Sequence, residues 1–204
     1  MTRIRETEKG KSPPGPLLTI CPIPGAVQAA APGKNISAPW PEPDRLKGKD
    51  ARKGDETMAK VLIVYTSRTG ETREIADRLA EGIRFQGVEA EVRDVSSIKS
   101  EKDLEGFDGY VFGSPTYHGD MLQPMKTFLF LAEKADLKGK VGGSFGAFGW
   151  SGEALDRIYG TMENIFQMHM VGDPLRLKSV TLGGGTQMAQ DYGRRIGKKV
   201  LSQA

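Results

Sequence analysis

The sequence predicts an α/β fold, a three-layer sandwich around a five-stranded parallel sheet in the order 2-1-3-4-5, occupying residues 58–204. Three observations lead there. Continuous apolar runs of strand length at 61–65 and 109–113 read as strands buried on both faces. Segments with an apolar period near 3.6 separate these runs, so strands and helices alternate, as in parallel sheets covered by helices. Two further runs, at 88–92 and 175–180, alternate between apolar and polar residues and suit the two edges.

The elements follow in order. "VLIVY" (61–65) is the first strand. Ile75, Leu79 and Ile83, with Ala76 and Ala80 beside them, mark the core face of the first helix. "VEAEV" (88–92) is the second strand, and "SEKDLEG" after it is at best a short helix. "GYVFG" (109–113) is the third strand. Pro124 fits the first turn of the next helix, whose core face is Met125, Phe128, Leu129 and Ala132. "VGGSFGAF" (141–148) is a strand of small residues. Leu155, Ile158, Tyr159, Met162, Ile165 and Phe166 give the following helix its period, with Ser151 as its N-cap. "LRLKSV" (175–180) is the last strand, and Ala189, Tyr192, Ile196 and Val200 mark the last helix.

Residues 1–57 have a different composition. They hold nine of the 12 prolines and 10 Lys/Arg against 7 Asp/Glu, which leaves the remainder with 19 of each sign. Such Pro and Gly density builds no packed core, so this segment reads as a disordered extension. It is a poor secretory signal, because "LLTICPIPGAV" is short and broken by prolines, and Glu6 and Glu8 argue against a transit peptide. Met58-Ala-Lys followed directly by a strand also reads as a natural start. The codons of Lys53-Gly54-Asp55 could encode a purine-rich ribosome-binding sequence upstream of it. The extension is then a mis-assigned start.

The net charge of +3 does not point to nucleic acid, and no run of 18 apolar residues spans a membrane. The single cysteine, Cys21, excludes an internal disulfide and suits a reducing cytoplasm. Two histidines and one cysteine are too few for a zinc cluster or an ordinary di-iron centre. Redox chemistry here therefore requires an organic cofactor.

In a sheet of this order, ligands bind beyond the carboxyl ends of the strands, where strands 1 and 3 diverge. Three loops lie there. "TSRTGETREIA" (66–76) offers hydroxyls at Thr66, Ser67, Thr69 and Thr72, a permissive Gly70 and a helix start, a cradle for a phosphate dianion. Neither a Walker motif nor GxGxxG is present, so the phosphate is a terminal monophosphate. "GSPTYHGDMLQP" (113–124) supplies a stiff Pro115, a permissive Gly119, and the flat, polar-tipped Tyr117 and His118, walls for a planar amphipathic ring. "SFGAFGWSGEA" (144–154) has glycines at 146, 149 and 152 that admit close backbone approach, and Trp150 either covers a ligand or packs in the rim.

"IVYTSRTGETREIADRL" (63–79) resembles the flavodoxin signature, with Ile63, Val64, Tyr65, Ser67, Gly70, Thr72, Ala76 and Leu79 each of the expected class. The resemblance covers about residues 60–204 and implies a flavodoxin-like fold with FMN as cofactor. It places the FMN phosphate against Ser67, Arg68, Thr69, Gly70, Glu71 and Thr72. It places the flavin ring against Ser114, Pro115, Thr116, Tyr117, His118 and Gly119. The third loop is similar to the C-terminal FMN domain of flavodiiron proteins, which adds Phe148, Gly149, Trp150 and Gly152. No acid–base pair, triad or metal constellation appears in these loops, so no catalytic or metal-binding residue is assigned.

The implied function is FMN-based electron transfer to a redox protein partner of ferredoxin, rubredoxin or di-iron type; a homodimer stays open. The region is neutral where flavodoxins are acidic, which weighs against a ferredoxin substitute. The di-iron domain of flavodiiron proteins is absent from this sequence. "SPTYHGDMLQPMKTFL" is also similar to flavodoxin-like NAD(P)H:quinone reductases, the alternative enzymatic reading. His118 is expected beside the flavin, with a pKa that rises when reduction charges the ring.

Overall fold

A computed structural model of the chain describes residues 58–149 and 152–203. The sequence reading of residues 1–57, and those of Trp150 and Ser151, lie outside the described residues. The element order is β1 (Lys60–Tyr65), α1 (Glu71–Arg84), β2 (Glu89–Asp94), two 3-10 turns (Val95–Ser97 and Glu101–Leu104), and β3 (Gly109–Gly113). A hairpin of β4 (Thr116–Tyr117) and β5 (Asp120–Met121) follows, then α2 (Gln123–Ala132), β6 (Val141–Ala147) and α3 (Glu153–Gly160). A π turn (Thr161–Ile165), β7 (His169–Met170), β8 (Leu175–Leu177) and α4 (Gly185–Leu201) complete it.

The main sheet is parallel with order β2-β1-β3-β6-β7, and β8 continues the edge beside β6. This is the predicted order, with the last strand in two pieces. β1 shows why its sequence is apolar throughout. Val61 and Ile63 pack with α1 and α4 on one face, while Leu62 and Val64 pack with α2 and α3 on the other, all with no exposed area. Burying each such side chain is worth roughly 1.5–3 kcal/mol. β2, one side of which faces solvent, begins at Glu89 rather than Val88, because its register starts at Lys60↔Glu89. An ion pair of 3.1 Å joins those two side chains.

Two expectations are corrected. The last edge strand is not a single run over 175–180. His169–Met170 pairs with Val141–Gly142 and Leu175–Leu177 with Phe145–Ala147. Between them Gly172 takes φ 60 and Pro174 has no N–H to give the ladder. Past Leu177 the backbone turns away to start α4, with the Thr186 amide donating to the Val180 carbonyl at 2.9 Å. Ile165 does not face the core. The helix widens into a π turn, closed by the Phe166 amide on the Thr161 carbonyl at 3.1 Å. The extra residue per turn brings Phe166 inward and leaves Ile165 58% exposed.

The helix pair α1–α4 is held close by glycines. A Cβ at Gly193 would lie 2.2 Å from the Leu79 carbonyl oxygen, and one at Gly82 would lie 2.1 Å from that of Gln190. This close packing holds the second half of α1 against α4.

Candidate functional site

The first loop leaves β1 at Thr66, whose amide donates to the Gly113 carbonyl at 3.0 Å and ties this loop to the end of β3. Ser67 Oγ accepts the Gly70 amide at 3.0 Å, which curls residues 67–70 into a tight turn. Gly70 stands at the helix N-cap with φ 95, a left-handed conformation costly for any residue with a Cβ. Its carbonyl accepts the Glu74 amide at 3.0 Å. No side chain caps α1, so its first amides point at the rim without an intrahelical partner. Thr72 has no exposed area, and its Oγ1 has no hydrogen-bond partner. Glu71 Oε2 is likewise buried without one.

The second loop is more ordered than its sequence suggests. Ser114, wholly buried, donates through Oγ to the Pro115 carbonyl and accepts the Leu122 amide, both at 3.1 Å. The two ends of the loop are thereby joined, and residues 116–121 form the β4–β5 hairpin. His118 (φ 50) and Gly119 (φ 73) are its two-residue turn, and positive φ at both is what a type I′ turn requires. The Tyr117 ring meets the His118 ring edge-on at 4.3 Å, and the Arg68 guanidinium lies 4.4 Å from the Tyr117 centroid. That cation–π contact spans the first and second loops. Thr116 Oγ1 is buried and unpartnered.

The third loop completes a cavity of about 490 Å³, lined by Arg68, Thr69, Pro115, Thr116, Tyr117, Ala147, Phe148, Gly149 and Lys178. Its size falls in the range of about 300–1,000 Å³ usual for small-molecule sites. Seven residues singled out in the sequence therefore share one cavity, and Ala147 and Lys178 join them. Lys178 lies just past β8, and its signal was weak, since an exposed lysine after an edge strand is usually only solvated. Ser67, Gly70, Glu71 and Thr72 adjoin the cavity through the turn and helix start. Ser114 acts as a brace, and His118 is exposed at the hairpin tip, off the cavity lining. Gly152 occupies the cap position of α3. A Cβ there would meet Arg176 Nε at 2.7 Å, so this glycine makes room for a side chain. Among the described residues, no group of three or more His, Cys, Asp or Glu could hold a metal ion.

The loops, the order of the sheet and the uncapped helix start coincide with the family comparisons. Residues 62–154 match the family model described as a flavodoxin domain. This is a flavodoxin-like FMN domain, related to the FMN module of flavodiiron proteins. A diflavin flavoprotein of Nostoc sp. is 31% identical over 144 residues, which are 68% of this chain and 25% of that protein. The type A flavoprotein fprA of Rhodobacter capsulatus is 27% identical over 150 residues, 71% of this chain and 34% of that one. The chain thus spans about a quarter to a third of these curated relatives.

Among solved structures, a flavodoxin from the domain Archaea superposes with TM-score 0.66 at 29% identity, covering 70% of this chain and 99% of that one. The rubredoxin oxygen:oxidoreductase of Desulfovibrio gigas gives TM-score 0.66 at 23% identity over 71% of this chain and 36% of that one, a likeness of fold. The flavodoxin-like domain has no described helix long and apolar enough to cross a membrane.

Proposed function

We infer that this chain is an electron-transfer module that holds FMN at the rim formed by the loops after β1, β3 and β6. The observation that carries the reading is the buried, unpartnered Thr72 hydroxyl at an uncapped helix start, opening beside a cavity with aromatic and proline walls. The free amides of α1 and the hydroxyls of Ser67, Thr69 and Thr72 suit the terminal phosphate, with the positive helix end adding to the attraction. Pro115, Thr116, Tyr117 and Phe148 suit the ring, and Thr116 Oγ1 is a buried group that a polar edge of the ring would satisfy. The bound FMN supplies the redox chemistry, exchanging electrons singly or in pairs.

The chain's own residues bind, orient and tune. Among the described residues, Arg68 and Lys178 are the charged groups of the cavity lining, with Glu71 adjoining it at the start of α1. Two cations favour added negative charge on a ligand, so this domain suits a less reducing couple than an acidic flavodoxin. The partner is a redox protein of ferredoxin, rubredoxin or di-iron type, met in a reducing cytoplasm.

The test is pre-reduction of the FMN-loaded full chain without oxygen, followed by rapid mixing with an oxidised one-electron protein carrier. One or two electron equivalents should leave per flavin. Sustained NAD(P)H oxidation with a quinone, at enzyme-like rates and without a protein carrier, would instead make the chain a quinone reductase.

A further inference from the structure

The hairpin β4–β5 is a wall of the FMN cavity, yet each of its strands has two residues. A ribbon that short is not stable on its own. Its second strand carries an ion cluster. The Asp120 carboxylate pairs with Lys126 Nζ of α2 and, at 3.2 Å, with Arg157 of α3, and it also accepts the Met121 amide at 2.8 Å. The three charged side chains belong to three separate elements. Those contacts, Lys126 first among them, hold the Asp120 carboxyl below the usual carboxylate range. Nearby, the hairpin tip lies so close to α3 that a Cβ on Gly119 would stand 2.8 Å from Glu153 Oε2.

We propose that Asp120 is a positioning residue for the flavin: its pairing with Lys126 and Arg157 fixes the hairpin against α2 and α3 and so sets where Tyr117 stands in the cavity. The chain of contact is short. Asp120 is paired directly with Tyr117 across the ribbon, and Tyr117 lines the cavity while Asp120 faces the helices. Ser114 ties the base of the loop, and the ion cluster ties the second strand of the hairpin to α2 and α3. Each pair is partly exposed and individually weak. It matters here because so short a ribbon depends on such contacts for its place, and apparent affinity falls with the fraction that is docked.

The proposal rests on the hairpin being a wall of the FMN site, and the experiment separates the two claims. Full-length parent, Asp120→Asn, Arg157→Gln and Tyr117→Leu proteins are stripped of flavin and titrated with FMN at low salt and in about 1 M salt. Absorbance band shape and the melting temperature without flavin are recorded alongside. Asp120→Asn should weaken FMN about three- to tenfold at low salt and shift the flavin bands in the direction given by Tyr117→Leu. Arg157→Gln should do the same to a smaller degree. At about 1 M salt, where charges act over roughly 3 Å, the parent should approach the variants to within about twofold.

A merely structural aspartate would lower the melting temperature and leave the affinity and band shape of the folded protein alone. That result, with Tyr117→Leu still altering both, overturns the positioning role and spares the site. If neither Tyr117→Leu nor Asp120→Asn moves affinity or bands, the hairpin is not a flavin wall and both claims fall. Should Asp120→Asn not fold, Arg157→Gln and Lys126→Gln test the same cluster from the helices.

Discussion

Thr72→Val should make the flavin-free protein more stable and its hold on FMN weaker. Valine keeps the shape and branching of threonine and has a similar helix propensity, so the first turn of α1 should not rearrange. The wild-type hydroxyl is wholly buried and unpartnered without ligand. Leaving a polar group so costs about 1–3 kcal/mol, and removing it with an apolar isostere recovers part of that, on the order of 1 kcal/mol. For a domain of this size such a gain corresponds to a rise in melting temperature of about 2–4 °C. In the proposed site the hydroxyl would donate to a charged phosphate oxygen, a bond worth about 1.5–3 kcal/mol. Its loss should weaken FMN roughly 10- to 100-fold and leave riboflavin, which has no phosphate, unaffected. Thermal melts of flavin-free protein and fluorescence titrations with both ligands measure the pair of effects. A variant less stable than the parent, with FMN affinity unchanged, would mean that Thr72 only packs the helix start and that the phosphate lies elsewhere.

Other consequences can be measured on the same protein. Gly193→Ala should cost on the order of 3 kcal/mol in a denaturant melt, because its Cβ would meet the backbone of α1 at 2.2 Å. The same variant should leave FMN affinity per folded molecule near the parent's. The phenols of Tyr110 and Tyr192 are each pushed up to about 12, chiefly by burial. Both are raised above the ordinary value near 10, so their contribution to stability is intact below about pH 10 and is lost as pH rises toward 12. Melts across that window, followed with tyrosinate absorbance, should show the loss, and Tyr110→Phe should flatten part of it. We propose that deleting residues 1–57 leaves flavin binding and the melting temperature unchanged, and calorimetry of the shortened chain checks it.

Much of the fold was legible because single-residue periods control it. Leu62 and Ile63 point to opposite sides of β1, so a strand covered on both faces must be apolar throughout. The face of α1 repeats every third or fourth residue for a similar reason. The turn of the first loop was legible because it depends on neighbours in sequence: Ser67 Oγ accepts the Gly70 amide, and Thr72 lies in the helix turn that follows. What the sequence hid depends on distant parts of the chain. Lys178 reaches the cavity only because the backbone leaves the sheet after Leu177. The hairpin was unreadable because two-residue strands carry no period, and His118-Gly119 is not the usual Asn-Gly pair. Ile165 has the right spacing for a regular helix, but the π turn shifts the phase at the point where it would have faced inward. The value of Gly82 and Gly193 appears only when α1 and α4 are brought together.

The most direct test is flavin titration of full-length protein after its own cofactor has been removed and identified. The released flavin should be FMN, and the stripped chain should rebind one FMN per molecule, with riboflavin at least about 10-fold weaker because it lacks the phosphate proposed to sit at the α1 start and Thr72. Addition of reductant should then bleach the flavin absorbance reversibly. Release of FAD as the main species, or riboflavin bound as tightly as FMN, would contradict a phosphate cradle at residues 67–72 and the electron-carrier site built upon it.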